Sequence, residues 1–286
     1  MTKRREFLKA GACMAAGSLL APGVFANAFD LKKKKGIGVQ VYSVRNELKE
    51  DFNGSMKKLA DIGYKYIEGY GLGLDGKFFG TMAPADYNKV VTDLGMQLVA
   101  THCRYFTKND AQKMVEASKA AGIEYLIIPS LPNELKASVD TYKQVAQNLN
   151  EVGEVFKSAG VKFGYHNHGF EFEEKSGQIP MEILISETEK ELVTFEADLF
   201  WVNKGGYDPV KLVNKFPGRI GLYHIKDSTA DLDQTTVGSG IIDFETLLKL
   251  KGKAGLDYYF VEDEREEDPF GNLEKAFQYL NTAKFG

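Results

Sequence analysis

Six times along the chain a helix-like stretch closes on a glycine and an apolar run starts at once or nearly so. This happens at Ile62-Gly63-Tyr64, Leu94-Gly95-Met96, Ala121-Gly122-Ile123, Ala159-Gly160-Val161, Pro217-Gly218-Arg219-Ile220 and Ala254-Gly255-Leu256. A glycine just past a helix adopts the left-handed conformation that closes the last turn without a Cβ clash. The intervals are mostly 27 to 38 residues, the length of one βα unit, and the single gap near twice that has room for a strand at 193–201. The segments between carry apolar residues at helical spacing, as in Phe52, Met56 and Leu59, or Tyr142, Val145, Leu149, Val152 and Phe156.

Short apolar runs at 36–44, 64–69, 97–102, 125–129, 162–166, 193–198, 220–226 and 258–262 make eight strands, each reading as buried on both faces. Eight βα units predict a single-domain α/β fold, a (β/α)8 TIM barrel over residues 36–286. An open doubly wound sheet is the alternative, but it wants a glycine-rich phosphate loop after its first strand. Here that strand ends Gln40-Val41-Tyr42-Ser43-Val44-Arg45, without one.

The first 28 residues read differently. Arg4-Arg5 precede Phe7-Leu8-Lys9 and a short run rich in small residues, and Phe25-Ala26-Asn27-Ala28 supplies a small-x-small cleavage pattern. The expectation is a twin-arginine signal peptide over residues 1–28, a basic tether over 29–35, and a mature protein in the periplasm. Without residues 1–28 the chain has 32 Lys and Arg against 39 Asp and Glu, a formal charge near −7 that disfavours nucleic acid. One cysteine, Cys103, then remains, which excludes an internal disulfide. No stable membrane anchor is expected once the signal is removed, because no later stretch reaches the roughly 18 apolar residues of a span.

All four histidines fall where a strand runs out into a loop: His102, His166, His168 and His224. Glu196, Asp198 and Glu262 occupy matching strand ends. Parallel strands in one barrel bring such residues together at the carboxyl-terminal rim, where these barrels carry their active sites. His166, Asp198, His224 and Glu262 offer two nitrogens and at least two oxygens, a donor set suited to a divalent ion such as Mn²⁺, Zn²⁺, Co²⁺ or Mg²⁺. Residues two apart on a strand share a face, so His168 points with His166 and Lys226 with His224.

Several stretches together resemble the xylose isomerase-like barrels, a superfamily of sugar isomerases and epimerases that also includes inosose dehydratase and endonuclease IV. They are Gly63-Tyr64-Lys65-Tyr66-Ile67-Glu68, Thr101-His102, Gly164-Tyr165-His166-Asn167-His168 with Glu171-Phe172, Asp198-Leu199-Phe200-Trp201, Tyr223-His224-Ile225-Lys226-Asp227 and Val261-Glu262. The resemblance implies metal ligands at Asp198, His224 and Glu262. It also shows a departure, because the family's strand-five glutamate, a ligand and proton shuttle, is His166 here. The two-glutamate mechanism therefore does not carry over intact.

The catalytic candidates are Glu262 and His168 as bases and Lys226 as an oxyanion stabiliser. The substrate-binding candidates are Trp201, which can equally cap the barrel, with His102, Glu68 and Arg104. The function expected is a metal-dependent isomerase, epimerase or lyase acting on a small-molecule sugar, cyclitol or keto-glycoside by proton transfer next to a carbonyl. A non-catalytic sugar- or metal-binding barrel and an endonuclease IV-like hydrolase are the alternatives.

Overall fold

The computed structural model describes residues 36–283. The signal and tether expectations, and residues 284–286 of the predicted domain, lie outside the described residues. Eight parallel strands close into one barrel: β1 (Gly38–Gln40), β2 (Tyr66–Leu72), β3 (Gln97–Cys103), β4 (Tyr125–Ile128), β5 (Lys162–His166), β6 (Thr194–Asp198), β7 (Ile220–Ile225) and β8 (Tyr258–Val261). Each strand pairs with its neighbours in sequence, and β8 returns to β1. A two-residue antiparallel ribbon, Asp227–Ser228 with Gln234–Thr235, follows β7. No helix among the described residues is long and apolar enough to cross a membrane.

The helices form where the spacing places them. The segment Val139–Ala159 buries Tyr142, Val145, Leu149, Val152 and Phe156 on one stripe. Ser138 and Thr141 cap its start reciprocally, and left-handed Gly160 closes its end. The other five helix-ending glycines also have positive φ.

The first strand departs from expectation. The predicted run over 36–44 is a strand only to Gln40, and Val41–Val44 form a 3₁₀ turn. The Tyr42 N–H donates to the Gln40 side chain at 3.0 Å, and the Ser43 hydroxyl donates to the Gln40 carbonyl at 2.8 Å. These local bonds give the backbone a partner that competes with the ladder.

Inside the barrel, Ala100, Tyr125, Ile127, Leu222, Tyr258 and Phe260 make an apolar plug with Tyr66 against it. Two residues further along the same strands stand Glu68, His102, His224 and Glu262. The period of two thus puts a polar layer directly on an apolar floor. That floor denies water to the lower side of every group above it.

Candidate active site

The strand register sets the polar layer side by side, with His166 opposite Glu196 and Asp198 opposite His224. Ligating atoms of His166, Asp198, His224 and Glu262 all lie within 4.8 Å of one another, and all four residues are buried. A second group, Glu68, His102, Glu196 and His224, meets the same criterion directly beside it.

Distances separate the two groups. Donors about 2.1 Å from one ion stand about 3.4 Å apart if tetrahedral and about 3.0 Å apart if octahedral neighbours. In the first group His166 Nε2 is 3.6 Å from Asp198 Oδ2, and His224 Nδ1 is 3.7 Å from Asp198 Oδ2 and 3.0 Å from Glu262 Oε2. In the second, His102 Nε2 is 2.8 Å from Glu196 Oε2 and His224 Nε2 is 2.6 Å from Glu68 Oε2, which are hydrogen-bond contacts. The first group holds one hydrogen-bond contact, His224 with Glu262, and is the more open of the two; the second holds two such contacts, with His224–Glu196 at 3.3 Å and His102–Glu68 at 3.5 Å beside them.

Tautomers reach the same answer. His166 Nδ1 lies 3.2 Å from the Pro129 carbonyl, which can only accept, so Nδ1 carries the proton and Nε2 presents a lone pair. That Nε2 has no hydrogen-bond partner among the described residues and faces Asp198 Oδ2, which also lies 3.2 Å from the Lys226 ammonium. A buried imidazole lone pair aimed at a carboxylate oxygen is costly unless a cation lies between them. At His224 the Nε2–H donates to Glu68, itself held by the Gln40 amide at 2.9 Å, which leaves Nδ1 for the Asp198 and Glu262 side. An acceptor oxygen holding the far nitrogen is how proteins orient metal-ligating histidines.

The charges fit a divalent ion. Burial, with Glu196 close by, pushes the Glu68 carboxyl up to about 8, so it keeps its proton at neutral pH. Burial also opposes ionisation of Asp198 and Glu262, but Lys226 and the histidines outweigh it and hold both well below the usual carboxylate range. Glu196 is lowered likewise by His224 and His102 against its own burial. Burial works against protonating His224, and Glu196, Glu262 and Glu68 overcome it, raising its pKa well above the usual value. Three ionised carboxylates against Lys226 and a protonated His224 leave one negative charge, which becomes two once an ion displaces the His224 Nδ1 proton.

A cavity of about 1080 Å³ opens above this layer, lined by His102, His166, His168, Glu262, Glu264 and Arg104 among others. Glu68 is shut beneath His224 with no exposure, so the expectation that it binds substrate is corrected: its carboxyl is occupied by His224 and Gln40. Lys226 is fully enclosed too. Its ammonium contacts Glu262 and Glu264 at 2.7 Å and Asp198 at 3.2 Å, so its role is to hold carboxylates and not an oxyanion in the cavity. Trp201 lies behind the wall, its ring 5.4 Å from that of His168 and under the Lys226 ammonium, as a cap.

His168 edges the cavity with its backbone N–H on Glu171, and burial, followed by the neighbouring His166, lowers its pKa to about 3. At neutral pH it is an uncharged imidazole that can donate or accept a hydrogen bond at the cavity edge. Glu264 was missed as a site residue, although its two-residue offset from Glu262 signals the shared face. The cavity's aromatic residues Tyr42, Tyr70 and Phe79 carry no sequence signal, because they come from loops and strand ends that only the barrel brings together.

Known proteins share this fold. A solved sugar phosphate isomerase/epimerase from Parabacteroides distasonis is 31% identical, with TM-score 0.78 over 89% of this chain and 96% of that one. The IOLI protein, solved with a bound zinc atom, is 20% identical, with TM-score 0.65 over 86% of this chain and 95% of its own, and shows the same fold. An inosose dehydratase from Clostridium beijerinckii is 22% identical over 254 residues, which covers 74% of this chain and 84% of the relative. A model of the xylose isomerase-like TIM barrel matches residues 56–283, and the chain belongs to that family.

Proposed function

We propose that this protein is a divalent-metal-dependent enzyme that removes a proton from the carbon next to a carbonyl of a sugar or cyclitol ketone. The observation that carries this is the buried, unpartnered His166 Nε2 facing Asp198 Oδ2 at 3.6 Å, where His166 and Glu262 line a cavity that a small molecule can enter. His166, Asp198, His224 and Glu262 would hold the ion. When bound, it supplies Lewis acidity that polarises a carbonyl or diol oxygen and stabilises developing negative charge. The names of the relatives, an isomerase/epimerase and an inosose dehydratase, are consistent with sugar-modifying chemistry.

Among the possible reactions the residues favour elimination. Inverting a carbon requires one group to take a proton on one face and another to return it on the opposite face. The second glutamate's place is taken by His166, whose Nδ1–H is bound to Pro129 and whose Nε2 belongs to the donor set. Glu262 remains. Lys226 and His224 both engage its Oε2, which leaves Oε1 to accept the proton and return it on the same face to the departing oxygen. The products are an unsaturated ketone and water or an alcohol.

The test is incubation of the metal-loaded protein with inososes and 3-keto-glucosides in D₂O. Metal-dependent formation of an unsaturated ketone is expected. Deuterium at an inverted carbon would overturn elimination in favour of epimerisation, and inertness toward every ketone would leave a non-catalytic binding barrel. The segment Arg4-Arg5 supports the further proposal that the protein acts outside the cytoplasm, where neutral sugars and glycosides are at hand.

A further inference from the structure

The cavity has two unlike halves. The donor set stands at the ends of β5 to β8, whereas the opposite wall is built from Tyr42 after β1, Tyr70 at the end of β2, Phe79 in the loop beyond, and Tyr105 and Leu131 after β3 and β4. Cavities of about 300–1,000 Å³ suit drug-sized molecules, and a single pyranose is smaller than these. At about 1080 Å³ this one has space for the sugar ring and a substantial group attached to it.

The wall is made in advance. Tyr42 and Tyr70 meet edge to face at 5.1 Å, and Tyr70 and Phe79 meet the same way at 5.2 Å, giving a continuous aromatic surface. The Arg45 guanidinium stacks over Tyr42 at 4.9 Å. Tyr42 and Phe79 each keep 39% of their surface open, among few large apolar residues so exposed. Phe79 is also held at φ +54°, a left-handed conformation unfavourable for a side chain of its size. Its N–H donates to the Gly71 carbonyl at 3.0 Å, and its ring lies over Gly71, where a Cβ would come within 2.7 Å of it. A strained backbone that presents an open phenyl ring to a cavity is the kind of outlier from which a role is inferred.

We infer that Tyr42, Tyr70 and Phe79 form a subsite for a planar aromatic aglycone, so that the substrates are aryl glycosides and not free monosaccharides. The inference rests on the proposed sugar-ketone chemistry for the other half of the cavity. In the elimination from an aryl keto-glycoside, the proton on the carbon between the carbonyl and the anomeric carbon passes to Glu262, its electron pair forms the C=C bond as the glycosidic C–O bond breaks, and the aryloxide takes up that proton and leaves as the phenol. The wall would hold this leaving group. It is mainly apolar, which suits an aromatic ring better than a second sugar with its hydroxyls.

The test compares binding of phenyl and methyl β-D-glucosides to metal-loaded protein by calorimetry, neither compound being a ketone. Phenyl glucoside should bind at least tenfold tighter. Phe79→Gly removes the ring and relieves the left-handed backbone, so it should reduce that preference at least fivefold, leave methyl glucoside within twofold, and not lower Tm. Tyr42→Ala gives a second, independent reduction. Equal binding of the two glucosides, failure of phenyl glucoside to bind at millimolar concentration, a preference that survives both substitutions, or cellobiose matching phenyl glucoside would each overturn the subsite. Failure of proton transfer to or from ketones alongside an intact phenyl preference would sink the chemistry and leave the subsite standing.

Discussion

At His166 the Pro129 carbonyl selects the tautomer, and the tautomer turns a buried imidazole into an electron-pair donor beside Asp198. Removing either donor leaves three, so His166→Ala and Asp198→Ala should each weaken metal binding at least tenfold, read by competition with a chromogenic chelator, while far-UV circular dichroism stays unchanged. Retained affinity in both variants would place the ion elsewhere. His168 touches the cavity but is not in the donor set, and His168→Asn should therefore lower kcat much more than metal content. Equal losses would make it a ligand. Glu171 provides a test of pH dependence: burial outweighs the donors Tyr165 and the His168 N–H on its two oxygens, and it holds its proton up to about 8 against 4.5 when exposed. Between those values the native state binds more protons than the unfolded chain, so stability falls as pH rises, by on the order of a few kcal/mol in all. Glu171→Gln mimics the protonated carboxyl and should reduce this slope in urea midpoints measured from pH 5 to pH 8 at constant metal. An undiminished slope would refute it. The strand-end histidines and acids were legible one by one, because residue type and strand position suffice for that. The positions of Glu68 and Lys226 were not, because depth inside a closed barrel depends on all eight strands.

At the scale of elements, the punctuation by helix-ending glycines was readable because left-handed closure is a local demand of the backbone. The end of β1 was not read correctly, since the competing bonds of Gln40 and Ser43 depend on side-chain geometry within one turn. The same turn ties two elements together. Ser43 Oγ accepts the Asp263 N–H at 3.0 Å, just past Glu262, so one hydroxyl links the exit of β1 to that of β8. Ser43→Ala leaves that buried N–H without its partner and should cost about 1–3 kcal/mol. Urea denaturation would measure it, and a change below the error of the midpoint would show that the tie carries no weight. The Phe79 loop lay beyond sequence reasoning altogether, because nothing local marks which wall a loop will line.

For the whole molecule, the remaining expectation concerns destination. Arg4 and Arg5 precede a mildly apolar run, and we propose that they direct folded protein through the twin-arginine route. Exchanging both for lysine should retain precursor in the cytoplasm, seen by fractionation and immunoblot. An unchanged yield of mature protein in the periplasm would remove the assignment.

The sequence by itself determined the (β/α)8 architecture, the strand ends on which His166, Asp198, His224 and Glu262 stand, and the histidine at position 166. Each of these depends on a local period or a residue type, which a linear chain displays in full. Only the tertiary structure decided that two overlapping histidine and carboxylate groups meet at His224, that Glu68 and Lys226 are enclosed within the barrel, and that three aromatic rings line one cavity with His166 and Glu262. These are matters of distances between strands and loops far apart in sequence, settled when barrel closure sets the register, and no local pattern encodes them.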